Sequence, residues 1–448
     1  MYPTTSPRER AYLIGVELKR GRPLLPVEES LDELERLAQT AGLDVVGRTY
    51  QRFDSPDPAT YIGSGKVEEV KTALKEFDAD VALFDDELSP RHQRELERAF
   101  GEEIKVIDRT ALILDIFAQH AHTAEGQLQV ELAQLEYRLP RLTRMWTHLA
   151  RQAGGRAGGG QGGVGVRGPG EKQLEMDRRD IGRRIATVKE ELEKVRYRRE
   201  QQRDKRQQTA LPVVAIVGYT NAGKSTLLNR LSGSEIWSAD MLFATLDPTT
   251  RRVEMPSGRE ALFTDTVGFI QKLPTQIVAA FRATLEEIAD ADVILHVVDA
   301  THPNAVQQIE AVDDTLAVLE VDHLPLVMAL NKVDQLSQDV DPLEKLGVGH
   351  TAVPISALAG YNIETLLLAV EAVMERYLDT VRVFLPYERG DLVSLFYERG
   401  QVEEESHEAE GVCIWGRLPE RLLPTFEPYT VGEDEEEEEL KIADGSTN

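Results

Sequence analysis

The sequence predicts an α/β protein whose largest domain contains a mostly parallel six-stranded sheet. The apolar run Val213–Val217 is followed at once by a glycine-rich loop and by a helical stretch from Thr226 to Leu231, which gives the order strand, loop, helix. Later apolar runs are short and spaced as strands that alternate with helices are. These runs cover residues 261–264, 326–330 and 352–355. We place this domain at residues 209–378.

Composition limits the class of protein. The 448 residues suggest about three domains at roughly 150 residues each, and 41% apolar with 29% charged residues is typical of a folded, water-soluble chain. No apolar run approaches the roughly 18 residues that a membrane-spanning helix needs, and the opening residues lack the pattern of a secretory leader. We therefore expect a cytoplasmic protein without stable membrane insertion. The single cysteine, Cys413, has no second cysteine to pair with and is expected in a core.

Residues 1–120 predict a smaller α/β domain. Short apolar runs alternate there with amphipathic stretches of helical length, which is typical of an open sheet flanked by helices. The string Gly63-Ser-Gly-Lys66 is reminiscent of a phosphate loop, but Thr60 and Val67 break that pattern. A turn and helix start is favoured over a nucleotide or RNA contact. The apolar runs are Tyr12–Leu18, Val45–Val46, Val81–Phe84 and Ile104–Ile107, and the amphipathic stretches are Ser30–Ala41, Val67–Phe77 and Ser89–Phe100.

Residues 121–208 predict a helical hairpin. Leucine-rich stripes with an alternating spacing of four and three run through residues 128–149 and 174–195, which is typical of two helices packed along one seam. Between them lies a tip, residues 154–170, in which ten of 17 residues are glycine and none is acidic. We expect a flexible basic tip that probes RNA, with a passive linker as the alternative.

Charge is unevenly distributed along the chain. The net charge of −27, from 51 Lys and Arg against 78 Asp and Glu, by itself argues against a nucleic-acid partner. Residues 138–206 differ, because 19 basic and 9 acidic residues give that segment a charge of +10. Exposed charges are screened over about 8 Å at physiological salt. A basic rod held away from the acidic bulk is therefore able to bind RNA phosphates, although no DNA partner is expected.

The string Gly218-Tyr-Thr-Asn-Ala-Gly-Lys-Ser225 has the spacing G-x-x-x-x-G-K-S and stands between a buried strand and a helix. Glycines let the backbone curl so that its N–H groups face phosphate oxygens, Lys224 adds a charge near the β and γ phosphates, and Ser225 binds Mg²⁺. A plain turn is the alternative. The predicted nucleotide contacts here are Gly218, Tyr219, Thr220, Asn221, Ala222, Gly223, Lys224, Ser225 and Thr226.

A second motif indicates which base is bound. Asn331-Lys-Val-Asp334 follows an apolar run, at the carboxyl end of a predicted strand where ligands bind in such sheets. The Asp334 carboxylate is able to accept hydrogen bonds from the N1–H and amino group of guanine, which adenine does not offer in that arrangement. Asn331 is expected to tie this loop to the phosphate loop, and the stem of Lys332 to pack over the ring. Further along, Ser356 and Ala357 are expected to offer backbone N–H to guanine O6.

Two more segments complete a nucleotide-switch pattern. In Asp265-Thr-Val-Gly268, the carboxylate reaches Mg²⁺ through water and the Gly268 N–H senses the γ phosphate, so this loop is expected to change on hydrolysis. The upstream segment 243–250 offers three threonines, of which Thr245 is the expected metal ligand. Thr249 and Thr250 remain alternatives. The predicted contacts are Phe243, Ala244, Thr245, Asp265, Thr266, Val267 and Gly268, and the predicted catalytic residues are Gly223, Lys224, Thr245 and Gly268.

These ordered motifs resemble those of translation-factor-related GTPases. With the preceding α/β domain, the glycine-rich hairpin and the Phe-Ala-Thr-Leu-Asp-Pro-Thr segment, the sequence is similar to the HflX family of ribosome-associated GTPases over nearly its whole length. The expected fold class is a P-loop GTPase domain with a mostly parallel six-stranded sheet, an N-terminal α/β domain, a helical hairpin and a small C-terminal α+β domain.

The resemblance also implies an activity. It implies GTP and GDP binding, with Mg²⁺ held by Ser225 and Thr245, and association with the large ribosomal subunit by a protein that is a monomer off the ribosome. It further implies stress-linked separation or rescue of ribosomes, with the hairpin tip near the peptidyl-transferase region of ribosomal RNA. A ribosome-assembly GTPase, and a signalling GTPase with a protein partner at the hairpin, remain alternatives.

The sequence departs from the better-known signalling GTPases after the Asp-x-x-Gly motif. Those proteins place a water-orienting glutamine where this chain has Phe269. Because a phenyl ring neither orients nor polarises water, slow intrinsic turnover is expected, with acceleration by a partner. Asn221 stands where some potassium-stimulated GTPases use an asparagine to bind K⁺, but an amide that braces the loop is favoured over a K⁺ ligand.

Residues 379–432 predict a small α+β domain that contains an acidic hairpin. Phe396, Tyr397 and Trp415 are expected in its core rather than on a stacking platform. Residues 433–448 include seven consecutive acidic residues and are expected to be disordered. An autoinhibitory contact of this tail with the basic hairpin is a separate hypothesis.

Overall fold

The structure is a computed structural model. The predicted contact Ala244, the acidic tail 433–448 and all but the last two residues of the predicted tip 154–170 lie outside the residues that it describes. Within the described residues, no helix combines the length and apolarity needed to cross a bilayer. The described residues are 8–19, 25–142, 169–207, 211–233, 242–243, 245–272, 288–337, 339–347, 352–376, 378–419 and 422–431.

A parallel four-stranded sheet lies near the N-terminus. Its strands are β1 (Arg10–Leu18), β2 (Asp44–Phe53), β3 (Val81–Phe84) and β4 (Lys105–Asp108), and its helices are α1 (Val27–Thr40), α2 (Ser64–Glu76), α3 (Pro90–Phe100) and α4 (Arg109–His120). The strand order is β2-β1-β3-β4. Apolar strand residues are buried on both faces, by α1 and α4 on one side and α2 and α3 on the other. Helix α2 begins directly after Gly63, so the Gly63–Lys66 string forms a helix start as predicted.

Two helices, α5 (Ala124–Arg138) and α6 (Pro169–Gln207), pack against each other in the middle of the chain. Arg184 donates to both carboxylate oxygens of Glu131 at 2.6 and 2.7 Å, and Lys189 pairs with Glu136 at 2.8 Å. Helix α6 has 39 residues and is therefore roughly 58 Å long. The two helices pack against each other as predicted, whereas residues 143–149 of the first stripe and the turn of the predicted hairpin fall outside the described residues.

The largest sheet has six strands, β5 to β10. They are β5 (Val213–Val217), β6 (Thr249–Glu254), β7 (Glu260–Asp265), β8 (Val293–Asp299), β9 (Leu326–Asn331) and β10 (Ala352–Pro354). Their order is β10-β9-β8-β5-β7-β6, and β6 alone among these strands runs antiparallel to its neighbour. The predicted mostly parallel six-stranded sheet is confirmed. Its parallel strands end at one edge, where the motif loops meet. The helices beside it are α7 (Lys224–Leu231), α8 (Ala305–Val318), α9 (Pro342–Leu346) and α10 (Ile363–Arg376).

One apolar core joins the N-terminal region to this sheet. Ile113 and Phe117 of α4 and Val130 of α5 belong to the same buried cluster as Ala215 and Ile294 of the large sheet. The face of the sheet next to the phosphate loop is therefore covered by the N-terminal region rather than by solvent.

A small antiparallel sheet follows, made of β11 (Leu378–Pro386), β12 (Gln401–His407) and β13 (Gly411–Pro419), with helices α11 (Gly390–Arg399) and α12 (Leu423–Phe426). Phe396 and Cys413 are buried there as predicted, but Tyr397 and Trp415 are 49% and 40% exposed, so their predicted core position is wrong. Trp415 alternates with two core-facing neighbours on β13 and must point to the opposite face of the strand. Tyr397 directs its hydroxyl to Glu405 at the surface.

We predict that the buried His296 of β8 makes stability sensitive to acid. Burial, aided by the charge of Lys224, lowers the pKa of His296 to about 3. The pKa of a histidine in the unfolded chain is about 6.5, so the unfolded state binds the proton first and the free energy of unfolding falls as the pH drops from about 6.5 towards about 3. When the pH falls from about 7 to about 5, the free energy of unfolding of the parent protein should therefore drop by about 2 kcal/mol more than that of His296→Leu. Urea unfolding at the two pH values measures both drops. Equal losses in the two proteins would contradict this assignment.

Candidate active site

The phosphate loop joins β5 to α7 and needs glycine at two positions. Gly218 has a φ of 149°, and a Cβ there would lie 2.2 Å from the Val297 carbonyl oxygen. Gly223 has a φ of 99°, and a Cβ there would lie 2.2 Å from the Asn331 side-chain nitrogen. Any larger residue would push the loop away from the neighbouring strand ends. The loop therefore packs closely against the carboxyl ends of the neighbouring strands.

Lys224 is held inside this loop. Its side chain is buried, and its Nζ donates to the carbonyl oxygens of Gly218 and Tyr219, both at 3.0 Å. Burial lowers the pKa of Lys224 to about 8, although the nearby Asp265 opposes this shift. The ammonium group therefore sits in a poorly solvated place where a phosphate oxygen would stabilise its charge.

An oxygen cluster lies beside the lysine. Ser225 Oγ donates to Asp265 Oδ2 at 2.7 Å and lies 2.8 Å from Thr245 Oγ1. Burial raises the pKa of Asp265, and its Oδ1 is buried without a hydrogen-bond partner of good geometry among the described residues. Of the alternative threonines, Thr249 begins β6, and Thr250 pairs with Thr264 across the strands at 3.0 Å. The cluster brings together the oxygen atoms that a hard cation prefers.

Asn331 ties the base side of the site to the phosphate loop. Its Nδ2 donates to the Ala222 carbonyl oxygen at 2.8 Å, and its Oδ1 accepts the Ala357 N–H at 2.9 Å. Lys332 has a φ of 68° and pairs with Asp299 at 2.7 Å. The side-chain amide of Asn331 thus fixes the relative position of the three loops that follow β5, β9 and β10.

The two residues predicted to reach guanine O6 are placed beside this amide, with their N–H groups already used. The Ser356 N–H donates to the Tyr361 carbonyl oxygen at 3.2 Å, and the Ala357 N–H donates to Asn331. Asp334 is exposed in the turn after β9, where its carboxylate is accessible to a base. Base binding by these residues stays a prediction.

The Asp-x-x-Gly loop runs along the other side of the phosphate loop. Thr266 Oγ1 donates to the Ile216 carbonyl oxygen at 2.8 Å, and Val267 is buried. A Cβ on Gly268 would lie 3.0 Å from Lys224 Nζ, so this backbone closely faces the lysine. Phe269 is buried and bonded to the phosphate loop through its backbone. The remaining predicted contacts are Thr220, which is buried, Asn221, which has a φ of 62°, and Thr226, which lies in the first turn of α7.

Two predicted nucleotide contacts turn their side chains away from the phosphate loop. Tyr219 is buried and bonds through its hydroxyl to Glu33 and to the Gln271 N–H. Phe243 packs edge-on against Phe117, with ring centroids 4.7 Å apart. Both side chains belong to the core shared with the N-terminal region, so a nucleotide contact by their backbone stays a prediction.

Sequence reasoning missed a set of paired charges next to the Asp-x-x-Gly loop. Lys272 pairs with Asp85 at 2.6 Å and with Asp86 at 2.8 Å, and Asp85 also accepts from the buried Arg109 at 2.7 Å. Arg109 in turn pairs with Glu33. These residues belong to no motif, so the sequence carries no signal that joins them. They fix the end of the Asp-x-x-Gly loop to the N-terminal sheet.

Comparison with known proteins agrees with the geometry. Family models match in three consecutive parts: "GTP-binding GTPase N-terminal" over residues 28–118, "GTP-binding GTPase Middle Region" over 120–206 and "50S ribosome-binding GTPase" over 213–332. The GTPase HflX of Caldanaerobacter subterraneus subsp. tengcongensis is 44% identical over 387 residues, which cover 86% of this chain and 87% of that protein. The GTPase HflX of Escherichia coli strain K12 is 42% identical over 414 residues, which cover 92% and 94%.

The chain belongs to the HflX family of GTPases. It is accordingly an enzyme that hydrolyses GTP. A solved structure of a GTP-binding protein from the archaeon Sulfolobus solfataricus in complex with GDP is also similar, with 26% identity, a TM-score of 0.41, and coverage of 82% of this HflX-family chain and 99% of that one.

We predict that Asp334→Asn changes the base that this HflX-family GTPase prefers. An amide offers a donor where guanine needs an acceptor, and it suits the extra oxygen of xanthine. Loss of two charge-assisted hydrogen bonds should weaken GDP binding roughly a hundredfold or more, with xanthosine diphosphate now preferred. Competition binding with a fluorescent nucleotide measures both affinities. An unchanged preference for guanine would show that another group reads the base.

Proposed function

We propose that this HflX-family GTPase binds the large ribosomal subunit in its GTP-bound state, separates or rescues ribosomes under stress, and leaves after hydrolysis. The match of residues 213–332 to the 50S ribosome-binding GTPase model carries the proposal. A γ phosphate near Thr245 and Gly268 would order the two loops that hold these residues, and its loss would free them. Differential binding of the two loop states to the ribosome would then couple hydrolysis to release.

The basic helical region supplies a surface of suitable charge. The side chains of Arg179 and Arg183 on α6 are 65% and 79% exposed, and they pair at the surface with Glu175 at 2.7 Å and Asp180 at 3.3 Å. The surrounding segment 138–206 carries +10 within a chain of −27. Because RNA phosphates bind such groups with release of counterions, ribosomal RNA is the expected partner of this surface.

The oxygen cluster fits Mg²⁺. Ser225 and Thr245 would hold the ion through their hydroxyl groups, and Asp265 has a buried oxygen without a partner of good geometry among the described residues to face it through water. When bound, Mg²⁺ supplies neutralising charge to the phosphate oxygens. Lys224 and the backbone N–H of Gly223 would bind and orient those oxygens as well, so catalysis would depend on positioning and charge.

Slow turnover off the ribosome follows from the packing of Phe269. Its N–H donates to the Gly218 carbonyl oxygen at 3.1 Å, and its carbonyl oxygen accepts the Thr220 N–H at 2.8 Å. The ring is buried and cannot orient an attacking water. A group supplied or ordered by the ribosome would accelerate hydrolysis.

Co-sedimentation with ribosomes tests this function. The chain should pellet with large subunits in a non-hydrolysable GTP analogue, and several-fold less in GDP, because only the former orders both loops. Affinity should fall steeply with salt, with log K decreasing linearly against log salt concentration. Equal pelleting in both nucleotides would refute the switch, and preference for immature particles would indicate an assembly factor.

A pair of variants isolates the predicted tip. Deleting residues 154–170 should weaken pelleting, because the tip would no longer contact RNA. A second variant keeps the length of the tip and replaces Arg156 and Arg167 by serine. It should weaken binding and reduce the slope of log K against log salt concentration by about two. If this variant had the same salt slope as the parent protein, the charges at the tip would have no role in binding, and a protein partner would be favoured.

We predict that K⁺ stimulates turnover through Asn221. This residue holds a left-handed backbone in the phosphate loop, with a φ of 62°. An amide oxygen placed there would bind K⁺ beside the phosphates. Replacing K⁺ by Na⁺ should lower kcat several-fold in the parent protein and have little effect on Asn221→Ala. The same rate in both salts would leave Asn221 as a brace of the loop.

A further inference from the structure

The segment that carries Thr245 is anchored on the corner between α4 and α5. Leu242, Phe243 and Leu246 are 5%, 3% and 2% exposed and belong to the core that includes Phe117 near the end of α4. Thr245 lies between these apolar residues and points the other way, to Ser225. The described part of the segment thus alternates between contacts to the helical corner and a contact to the phosphate loop.

Asp247 adds a polar anchor to the same corner. Its Oδ2 accepts the backbone N–H groups of His122 and Thr123, both at 2.8 Å, and its Oδ1 accepts the Thr123 hydroxyl. The Thr123 Oγ1 in turn caps α5 by accepting the Gly126 N–H at 3.0 Å. A carboxylate at the N-terminus of a 15-residue helix is also stabilised by the helix dipole.

Gly126 makes this approach possible. A Cβ at this position would lie 2.5 Å from Asp247 Oδ1, which is closer than a carbon and an oxygen atom are able to approach. Gly126 is the third residue of α5, and the carboxylate occupies the space that a larger side chain would need there. The contact therefore depends on shape as well as on charge.

We propose that Asp247 is a positioning residue: its contacts with the α4–α5 corner hold Thr245 beside Ser225. The corner lies where the helical region begins, and Asp247 is only two residues after Thr245. A movement of the helical region would therefore change the position of Thr245 in the nucleotide site. The inference rests on the proposed role of Thr245 as a Mg²⁺ ligand. It adds a connection between the helical region and the site, separate from the paired charges around Lys272, which connect the site to the N-terminal sheet.

Three single variants test the proposal. Asp247→Asn places an amide against the N–H donors, Gly126→Ala pushes the carboxylate away without changing a polar group, and Gly182→Ala on α6, where a Cβ meets nothing within 4 Å, is the matched control. The first two should raise the Mg²⁺ concentration for half-maximal binding of a non-hydrolysable GTP analogue about tenfold, and should change GDP affinity less than about twofold. The control should change neither.

A double variant separates positioning from general damage. Once Asp247→Ala has removed the carboxylate, adding Gly126→Ala should cause little further loss, because the 2.5 Å clash is gone and only the tight contact with Thr123 Oγ1 at 3.1 Å remains. Thr123→Ser keeps the hydroxyl and should behave as the parent, whereas Thr123→Val should shift the Mg²⁺ dependence in the same direction as Asp247→Asn. Additive losses, or a Gly126→Ala variant that matches Gly182→Ala, would overturn the proposal.

Hydrogen exchange gives a readout that does not depend on the metal. In Asp247→Asn bound to the GTP analogue, the amide hydrogens of residues 245–247, 249 and 250 and of His122 and Thr123 should exchange faster, while those of β5 should not. If Thr245→Ala leaves the Mg²⁺ dependence unchanged, the proposed metal role of Thr245 fails, and exchange still decides the present inference. Unchanged exchange in Asp247→Asn would refute it.

Discussion

The close approach of the phosphate loop to the neighbouring strand ends is the constraint on which the site depends. Gly218 leaves room for the Val297 carbonyl and Gly223 for the Asn331 amide. That amide then bonds to Ala222 and Ala357, which fixes three loops at once. Because the motif loops all leave the same edge of a parallel sheet, one side chain in this place sets the distance between the phosphate side and the base side of the site.

Buried charge explains why the site is linked to the N-terminal region. An unpaired buried charge is costly, so Arg109 and Asp85 require each other, and Lys272 completes the set. Lys272 lies four residues after Gly268 of the Asp-x-x-Gly loop, and Tyr219 of the phosphate loop reaches Glu33 in the same network. A loop change on hydrolysis would thus disturb contacts with the N-terminal sheet, while the Thr245 segment contacts the helical corner.

Local sequence patterns predicted the helices and strands well. They did not predict side-chain contacts between residues that are far apart in the sequence. The phosphate loop and the six-stranded sheet follow from apolar runs and glycine spacing, which depend on neighbouring residues alone. Trp415 and Tyr397 were expected in a core because they are aromatic, but strand alternation and the position of Phe396 put them outside. Contacts of Lys272 with Asp85 and of Asp247 with Thr123 span 187 and 124 residues, a separation at which no local pattern operates.

The sequence by itself determined the class of reaction, because the residues that bind phosphates must stand at fixed spacing around a strand and a helix start. It also determined the family, through motifs in a set order. The tertiary structure alone decided which side chains of the motif segments pack into the core, as Tyr219 and Phe243 show. The physical reason is that motif spacing constrains the backbone, whereas the direction of a side chain depends on what packs against it from elsewhere in the chain.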